Sequence, residues 1–388
     1  LRVVRWSGLV TLLGVTLVTA CGSSTRSEPH EAPSDEACDP SRFLGVGDDH
    51  ACAVTETGEV ACWGAAFGNG TAEAQLTPVL VPGLAGVLAV TAGRSHSCAL
   101  LESREVVCWG TNESGQLGDG TTVDRLEPAP VPGLANVRSV SAGGPHTCAL
   151  LASGSVLCTG SDEFSGATPA PPETVPSAIS GLSEVRAVSA GGRNVCALLQ
   201  AGEVACWGWV WLEAVGTWTV EPRQLPGISS ALQVSAGLNH DCLVLETGSA
   251  ACQGYGRQGQ LGDGNNETKD DPVPVVDLAD ATMIAAGLGG YGHTCAVRQQ
   301  GDVVCWGINT SGQLGNSSTD STQNVPGEPV LNLGDAVAID AGGEHTCALE
   351  RSGEVTCWGK GEYGQLGNGA TSNQGAVAVS GLVAATCP

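Results

Sequence analysis

Lysine is nearly missing from this chain of 388 residues: only Lys269 and Lys360 occur. Lys plus Arg number 16 against 40 Asp plus Glu, a formal net charge of −24. Such a balance argues against nucleic acid, whose binding depends on basic patches that neutralise phosphates. It also argues against adsorption to anionic lipid, except through a lipid anchor. The charge itself serves solubility. Catalytic signatures are lacking as well. No G-x-S-x-G, H-E-x-x-H or phosphate loop occurs. Ser, His and Asp are so common that a triad could be assembled from them by chance. The chain is therefore read as a protein that is not an enzyme, with no catalytic residue, no cofactor and no metal site. Long apolar runs are lacking: the longest, Leu9 to Val18, is too short to cross a membrane comfortably. Aromatics are scarce, at 9 Trp, 3 Tyr and 3 Phe, so any place where they gather carries information.

What the chain does have is cysteine, 17 in all, and glycine, 56. Fourteen of the cysteines fall into pairs with nine residues between them. The pairs are Cys52 with Cys62, Cys98 with Cys108, Cys148 with Cys158, Cys196 with Cys206, Cys242 with Cys252, Cys295 with Cys305 and Cys347 with Cys357. Each pair brackets an apolar run, a turn with glycine and a second apolar run, as in CALLASGSVLC from Cys148 to Cys158. That is a β-hairpin. Folding it about Ser153 sets the two cysteines opposite each other, where side chains are close enough for a disulfide. Seven zinc sites are the rival reading, but zinc ligands usually come in tighter pairs.

The first cysteines recur at intervals of 46, 50, 48, 46, 53 and 52 residues. A period near 50 with several short strands per unit is that of a propeller blade. Each unit parses into four strands. Strand a is like Val137–Ala142, strand b starts at the first cysteine, strand c ends at Cys-Trp-Gly, and strand d is the proline-flanked stretch near Pro128. Proline suits an outer edge strand, which has no neighbour to receive its N–H. The expectation is an all-β, seven-bladed β-propeller with one disulfide-bridged hairpin per blade, occupying residues 41–388. Cys38 precedes the first strand a and Cys387 follows the last strand d. They flank the one gap in a ring, so a Cys38–Cys387 disulfide is expected to close it. A loop of about 350 residues is where the loss of chain entropy counts most, of order 5 kcal/mol.

Ahead of the repeats, Arg2 and Arg5 precede the apolar run, and Val18-Thr19-Ala20-Cys21 follows it. A basic region, an apolar region and a small-residue cleavage site make a secretory signal. The four residues ending at Cys21 resemble a bacterial lipobox. That resemblance implies residues 1–20 as a signal, cleavage before Cys21 and lipidation of Cys21. An ordinary signal peptide is the alternative. Residues 21–40 are rich in Ser, Pro and Glu and read as a flexible tether. The expected location is the exported cell envelope, outer membrane or cell surface, with membrane contact only through the anchor. The cysteine pairs suit an oxidising compartment.

The most complete repeat includes Ala341-Gly342-Gly343, His345, Gly353, Val355, Trp358-Gly359 and Gly364-Gln365-Leu366-Gly367. This pattern resembles the repeats of the regulator of chromosome condensation family, from about Arg42 to Leu382. The resemblance implies a seven-bladed propeller. It allows a guanine-nucleotide exchange factor, but no stretch matches that member's exchange wedge. Blades depart from the pattern at particular places. Blade 1 has Phe67-Gly68-Asn69-Gly70 for the Gly-Gln-Leu-Gly loop. Blade 3 has Thr159 for Trp, and Phe164-Ser165-Gly166 for the loop. Blade 5 has Gln253 for Trp. Blade 4 loses the loop and reads WGWVWLEAVGTW.

Three sets of side chains are candidates for a site. His50, His96, His146, His240, His293 and His345 stand two residues before the first cysteine, with Asn194 in blade 4. They could ligate metal or sense pH, but a residue repeated in every blade reads better as a fastener of its own turn. Asp119, Asp124, Asp263 and Asp270 do not have a calcium-loop spacing and suit tight turns. The Trp of each Cys-Trp-Gly is expected between blades. Of the other aromatics, Phe67, Phe164, Trp209, Trp211, Tyr255 and Tyr363 all follow strand c, and Trp218 closes the blade 4 stretch. Equivalent propeller loops share one face, and aromatics are favoured interface anchors. The alternative is that each ring packs on the neighbouring blade. The preferred function is a binding scaffold for an unknown protein or peptide through this face. A secreted enzyme in the propeller mouth is the alternative, and nucleotide exchange a more remote one.

Overall fold

The structure, a computed structural model, describes residues 38–65, 73–161, 172–212, 215–289 and 292–387. Its compact unit runs from Asp39 to Pro388. The leader, Cys21 and the tether up to residue 37 lie outside the described residues.

Seven four-stranded antiparallel sheets form the seven blades, and in each the strands lie side by side in chain order. Blade 2 is typical: strand a Val87–Ala92, b His96–Leu101, c Val106–Gly110 and d Arg125–Pro130. Strand d starts three residues earlier than its prolines suggest. In blade 6 it shrinks to Thr322–Gln323. The only helix among the described residues is a 3₁₀ turn, Pro40–Phe43, whose Ser41 N–H donates to Asp39 Oδ1 at 3.0 Å.

Burial is greatest in the middle strands of each blade and lower in strand a, which faces the axis, and in strand d, which faces outward. Strand b is buried along nearly its whole length, while strand d alternates between half-buried and exposed. The apolar core is a set of layers between consecutive blades. In one layer Cys52, Val54, Val60 and Cys62 of blade 1 meet Val87, Val90, Ala99 and Trp109 of blade 2. The Trp of each Cys-Trp-Gly is fully buried in such a layer, where one large side chain contributes about 3 kcal/mol.

In every blade the two cysteines are directly paired across strands b and c. The expected bridges all form. Cys52 bonds to Cys62, Cys98 to Cys108, Cys148 to Cys158 and Cys196 to Cys206. Cys242 bonds to Cys252, Cys295 to Cys305 and Cys347 to Cys357. In each of the seven the Cα atoms are 4.1 Å apart, the close approach of directly opposed residues, so no cysteine of a hairpin is left to ligate zinc. Cys38 and Cys387 are each disulfide-bonded as well.

The ring is tied at its axis by the loops between strands a and b. One backbone N–H per blade crosses to the next blade: Arg94 to Gly143 O at 2.8 Å, Gly144 to Gly191 O at 2.8 Å, and so on to Gly343, which donates to Gly47 O at 3.2 Å. The last of these joins blade 7 to blade 1. The crowding explains the glycines, since a Cβ on Gly143 would lie 2.2 Å from Gly191 O. The chain end adds to the closure, with Ala385 N–H donating to Val54 O of blade 1 at 2.8 Å.

Candidate binding face

Strand c of each blade delivers its following loop to the same face as the loops between strands a and b. Where the Gly-Gln-Leu-Gly sequence is present, that loop fastens a seam. Gln313 is an example. Its side-chain Oε1 accepts from Ser311 N at 2.8 Å, which tightens the turn. Its carbonyl accepts from Trp358 Nε1 of the next blade at 2.8 Å. Gln260 and Trp306 repeat this at 2.9 Å, and Gln365 and Trp63 do so at 3.0 Å across the closing seam. In blade 3 Thr159 replaces Trp, and its hydroxyl proton is shared between the Gly115 carbonyl of blade 2 at 3.0 Å and the Glu173 carbonyl of its own strand d at 2.7 Å. The substitution keeps a donor at the seam.

The histidines are fasteners, but not of their own turns. Each is the first residue of strand b and is buried. Four of the six reach a hydroxyl of the next blade through Nε2: His50 to Ser97 Oγ at 2.8 Å, His96 to Thr147 Oγ1 at 2.8 Å, His240 to Thr294 Oγ1 at 2.9 Å and His293 to Thr346 Oγ1 at 2.7 Å; facing His146 and His345 the next blade has Val195 and Ala51, which carry no hydroxyl. The expected intra-turn bond is corrected to a bond between blades, because the ring lies in the seam beside a hydroxyl about one period further on. Burial pulls all six rings down, His50 and His293 to about 4 and the other four to about 3. They are neutral imidazoles at physiological pH.

The seam between blades 4 and 5 is built differently, from three departures that belong together. Asn194 stands for His, Asp241 for Thr and Gln253 for Trp. Asn194 Nδ2 donates to Asp241 Oδ1, and Gln253 Nε2 donates to Asp241 Oδ2 at 3.3 Å. Burial raises the Asp241 carboxyl to about 6. The change of Asn194 and Gln253 is visible in the sequence. Their meeting on Asp241 is not, although an acid at a Thr position was the available signal.

Blade 4 also departs in shape. The blades with Gly-Gln-Leu-Gly have a loop at this place. In blade 4 it is instead a two-stranded ribbon, because strands c and d continue past their usual ends, Val204–Leu212 and Val215–Gln224. The residues are strong strand formers, VACWGWVWL and VGTWTV. Trp209 pairs with Trp218, Val210 with Thr217 and Trp211 with Gly216. By the period of two, the three tryptophans occupy positions of one ribbon face. The ribbon leaves the propeller at the a–b loops, where Trp209 N–H donates to Arg193 O at 2.9 Å. Trp209 itself is half-buried.

Two more of the seven aromatic candidates are described on this face. Tyr363 is 45% exposed. Lys360 Nζ lies 5.5 Å from its ring centre and 3.2 Å from Glu344. Tyr255 is half-buried, and its N–H donates to Asn239 O at 2.8 Å. Phe67 and Phe164 lie outside the described residues. Nearby, Asp48 pairs with Arg94 at 3.0 Å, and burial raises its carboxyl to about 6. Of the acids weighed for calcium, three hold turns: Asp119 Oδ1 accepts from Thr121 N at 2.9 Å, Asp124 Oδ1 from Asn112 N at 2.7 Å and Asp263 Oδ1 from Asn265 N at 3.0 Å, while Asp270 lies in strand d of blade 5, Lys269–Pro274.

Comparison with known proteins agrees with this architecture. Models of the regulator of chromosome condensation (RCC1) repeat match residues 105–150 and 300–349, and also 43–70, 87–116, 137–165, 284–313 and 336–365. The human RCC1 domain-containing protein 1 is 30% identical over 156 residues, 30% of this chain and 41% of that protein. The ultraviolet-B receptor UVR8 of Arabidopsis thaliana is 35% identical over 116 residues, 30% of this chain and 26% of the receptor. The matched stretch thus spans less than half of either relative. Among solved structures, Prp20p of Saccharomyces cerevisiae, described with its binding to Gsp1p and histones, has a TM-score of 0.70 at 21% identity over 88% of each chain. Human WBSCR16 has a TM-score of 0.67 at 23% identity over 79% of this chain and 85% of that one.

Proposed function

Because this chain is built of regulator of chromosome condensation repeats, we propose that it is a binding scaffold that engages a protein or peptide through the face carrying the blade 4 ribbon. The ribbon is the observation that carries the reading. It breaks the repeat where three of the chain's few aromatics occur, and it replaces a loop whose job is internal. The groups with strongly shifted acidity are also engaged by structure: six histidines sit neutral in or beside the seams, Asp241 is bonded within one, Asp340 accepts from Val46 N across another, and Asp48 pairs with Arg94. These placements favour recognition over acid–base chemistry as the use of this face. Tyr363 and Tyr255 extend the proposed surface, with Phe67 and Phe164 as its sequence-expected members. The partners of the relatives do not pass to this chain, whose identity to the solved propellers is too low for that.

The test is a paired measurement. Trp209→Ala combined with Trp218→Ala is expected to leave the melting temperature within about 2 °C. The same change weakens capture of the envelope partner by about thirtyfold or more, as for loss of a hot-spot residue costing about 2 kcal/mol. A fall in melting temperature of about 5 °C or more with binding intact would mean that the rings are core, and the reading fails.

The scaffold is further proposed to be tethered to the cell envelope through a lipidated Cys21. Support comes from the lipobox-like stretch and from seven disulfides that an oxidising compartment would maintain. Cys21→Ala is expected to move the protein from the membrane fraction to the soluble one, with its melting temperature unchanged. Retention on membranes after a high-salt wash would end this part of the proposal.

A further inference from the structure

Around the axis, the seven strands a enclose a cavity of about 430 Å³. Its wall is more specific than a propeller hub requires. At the fifth position of strand a stand Thr91, Ser141, Ser189 and Ser235 in blades 2 to 5, all lining the cavity. Each hydroxyl oxygen accepts an N–H from the next blade: Ala142 to Thr91 at 3.1 Å, Ala190 to Ser141 at 2.9 Å, Ala236 to Ser189 at 3.0 Å and Ala286 to Ser235 at 2.9 Å. An oxygen used in this way keeps its own proton to donate. The result is an arc of four O–H donors around one level of the cavity. In blade 7 the same position is Asp340. Its carboxyl accepts from Val46 N of blade 1 at 2.7 Å, across the closing seam, and from the N–H of its own neighbour Ala341 at 2.9 Å, and burial raises it to about 7, which lessens the negative charge it brings to the wall.

Three residues before that level, the cavity is lined by Arg138 and Arg186 of strand a in blades 3 and 4, and by Arg42 of the 3₁₀ turn that leads into blade 1, whose guanidinium is 3.7 Å from Asp39, also in the lining. Arg138 and Arg186 stand on β-bulges, where the register slips by one residue. Bulges re-aim side chains. Arg186 Nη2 is held by the carbonyls of Ala231 at 3.0 Å and Leu232 at 2.9 Å, which stations the guanidinium across the mouth. Three residues along a strand span about 10 Å. A chain this poor in cations thus sets Arg138 and Arg186 above an arc of hydroxyl donors, at the mouth opposite the ribbon face, with Arg42 beside them but balanced by Asp39.

We propose that the axial cavity is a binding site for a small polyvalent oxyanion, a carboxylate or a phosphate. Its charge meets Arg138 and Arg186, and its further oxygens accept from Thr91, Ser141, Ser189 and Ser235. The volume is within the range of small-molecule sites. The site is separate from the ribbon face, and neither reading needs the other.

Citrate and inorganic phosphate are the probes, titrated calorimetrically into the intact disulfide-bonded protein at low ionic strength. One of them is expected to bind saturably with a stoichiometry of one, and the better of the two identifies the source as carboxylate or phosphate. Arg138→Gln with Arg186→Gln weakens binding about tenfold or more, the effect of losing hydrogen bonds from charged donors. Arg138→Lys with Arg186→Lys restores part of it, and Arg94→Gln on the opposite face changes nothing. Should the double Gln variant fold poorly, Arg138→Gln alone gives the same direction, since the carbonyl contacts of Arg186 remain. The proposal is overturned if neither probe binds saturably. It is equally overturned if affinity in a folded Arg138→Gln variant equals that of the parent protein.

Discussion

Dithiothreitol is expected to unfold this propeller at a temperature where the oxidised protein is fully native. Each hairpin bridge closes a short loop and, in the chain-entropy account, contributes about 3 kcal/mol by restricting the unfolded state. Seven of them together reach about 20 kcal/mol, above the roughly 5–15 kcal/mol by which folded domains exceed their unfolded states. Apart from the half-buried Cys158, every hairpin cysteine is at most 1% exposed. Reduction of the hairpin bridges therefore waits on opening of a blade, with blade 3 the first to yield. Cys38 is exposed and Cys387 half-buried, so bonds at these two are reduced before any hairpin, in a phase that precedes loss of strand structure. A peptide map of the unreduced protein is expected to show the seven hairpin pairs and Cys38–Cys387. A melting temperature unaffected by reductant, or zinc held in place of the bridges, contradicts the account.

Acid has the second large effect. Burial lowers six histidines to about 3 or 4 in the folded state. In the unfolded chain they titrate near 6.5. Their contribution to stability is therefore present above pH 6.5 and is lost as the pH falls toward 4. Three carboxyls oppose this. Burial raises Asp340 to about 7 and Asp48 and Asp241 to about 6, so their contribution is present at low pH and is lost as pH rises through 6 to 7. Near pH 5, unfolding protonates six rings and deprotonates three carboxyls, a net uptake of about three protons. The linkage slope is then about 4 kcal/mol per pH unit. The melting temperature is expected to fall by on the order of 5 °C per unit between pH 6 and pH 4.5. His96→Asn, which copies the residue of blade 4, makes the slope shallower. A flat profile across this range would show that the rings are not held neutral by burial.

The hairpins, the bridges and the number of blades were legible because each is a local fact. Cys148 and Cys158 are ten residues apart, and a glycine turn leaves them one register. The placement of Trp358 between blades was legible from its repetition. The role of the histidines was only half legible. A residue repeated at every blade signals a structural position, but the partner of His96 is Thr147, 51 residues away. The blade 4 segment shows why a missing motif is weaker evidence than a present one. Absence of the Gly-Gln-Leu-Gly turn marked a departure at Trp209 without saying that strands c and d would continue through it.

From the sequence alone come seven contiguous sheets, their cross-linking, and the gathering of scarce aromatics after strand c, since these depend on spacings within one blade. What tertiary structure decided lies between blades. It brought Asn194 and Gln253 together on Asp241, turned His50, His96, His240 and His293 to the next blade's hydroxyls, and set Thr91, Ser141, Ser189 and Ser235 at one level beneath Arg138 and Arg186. The physical reason is that a strand's sequence specifies its pairing and its two faces. Which atoms meet across a seam depends on how far each twisted blade is turned about the axis, and that is settled only when all seven pack into a closed ring.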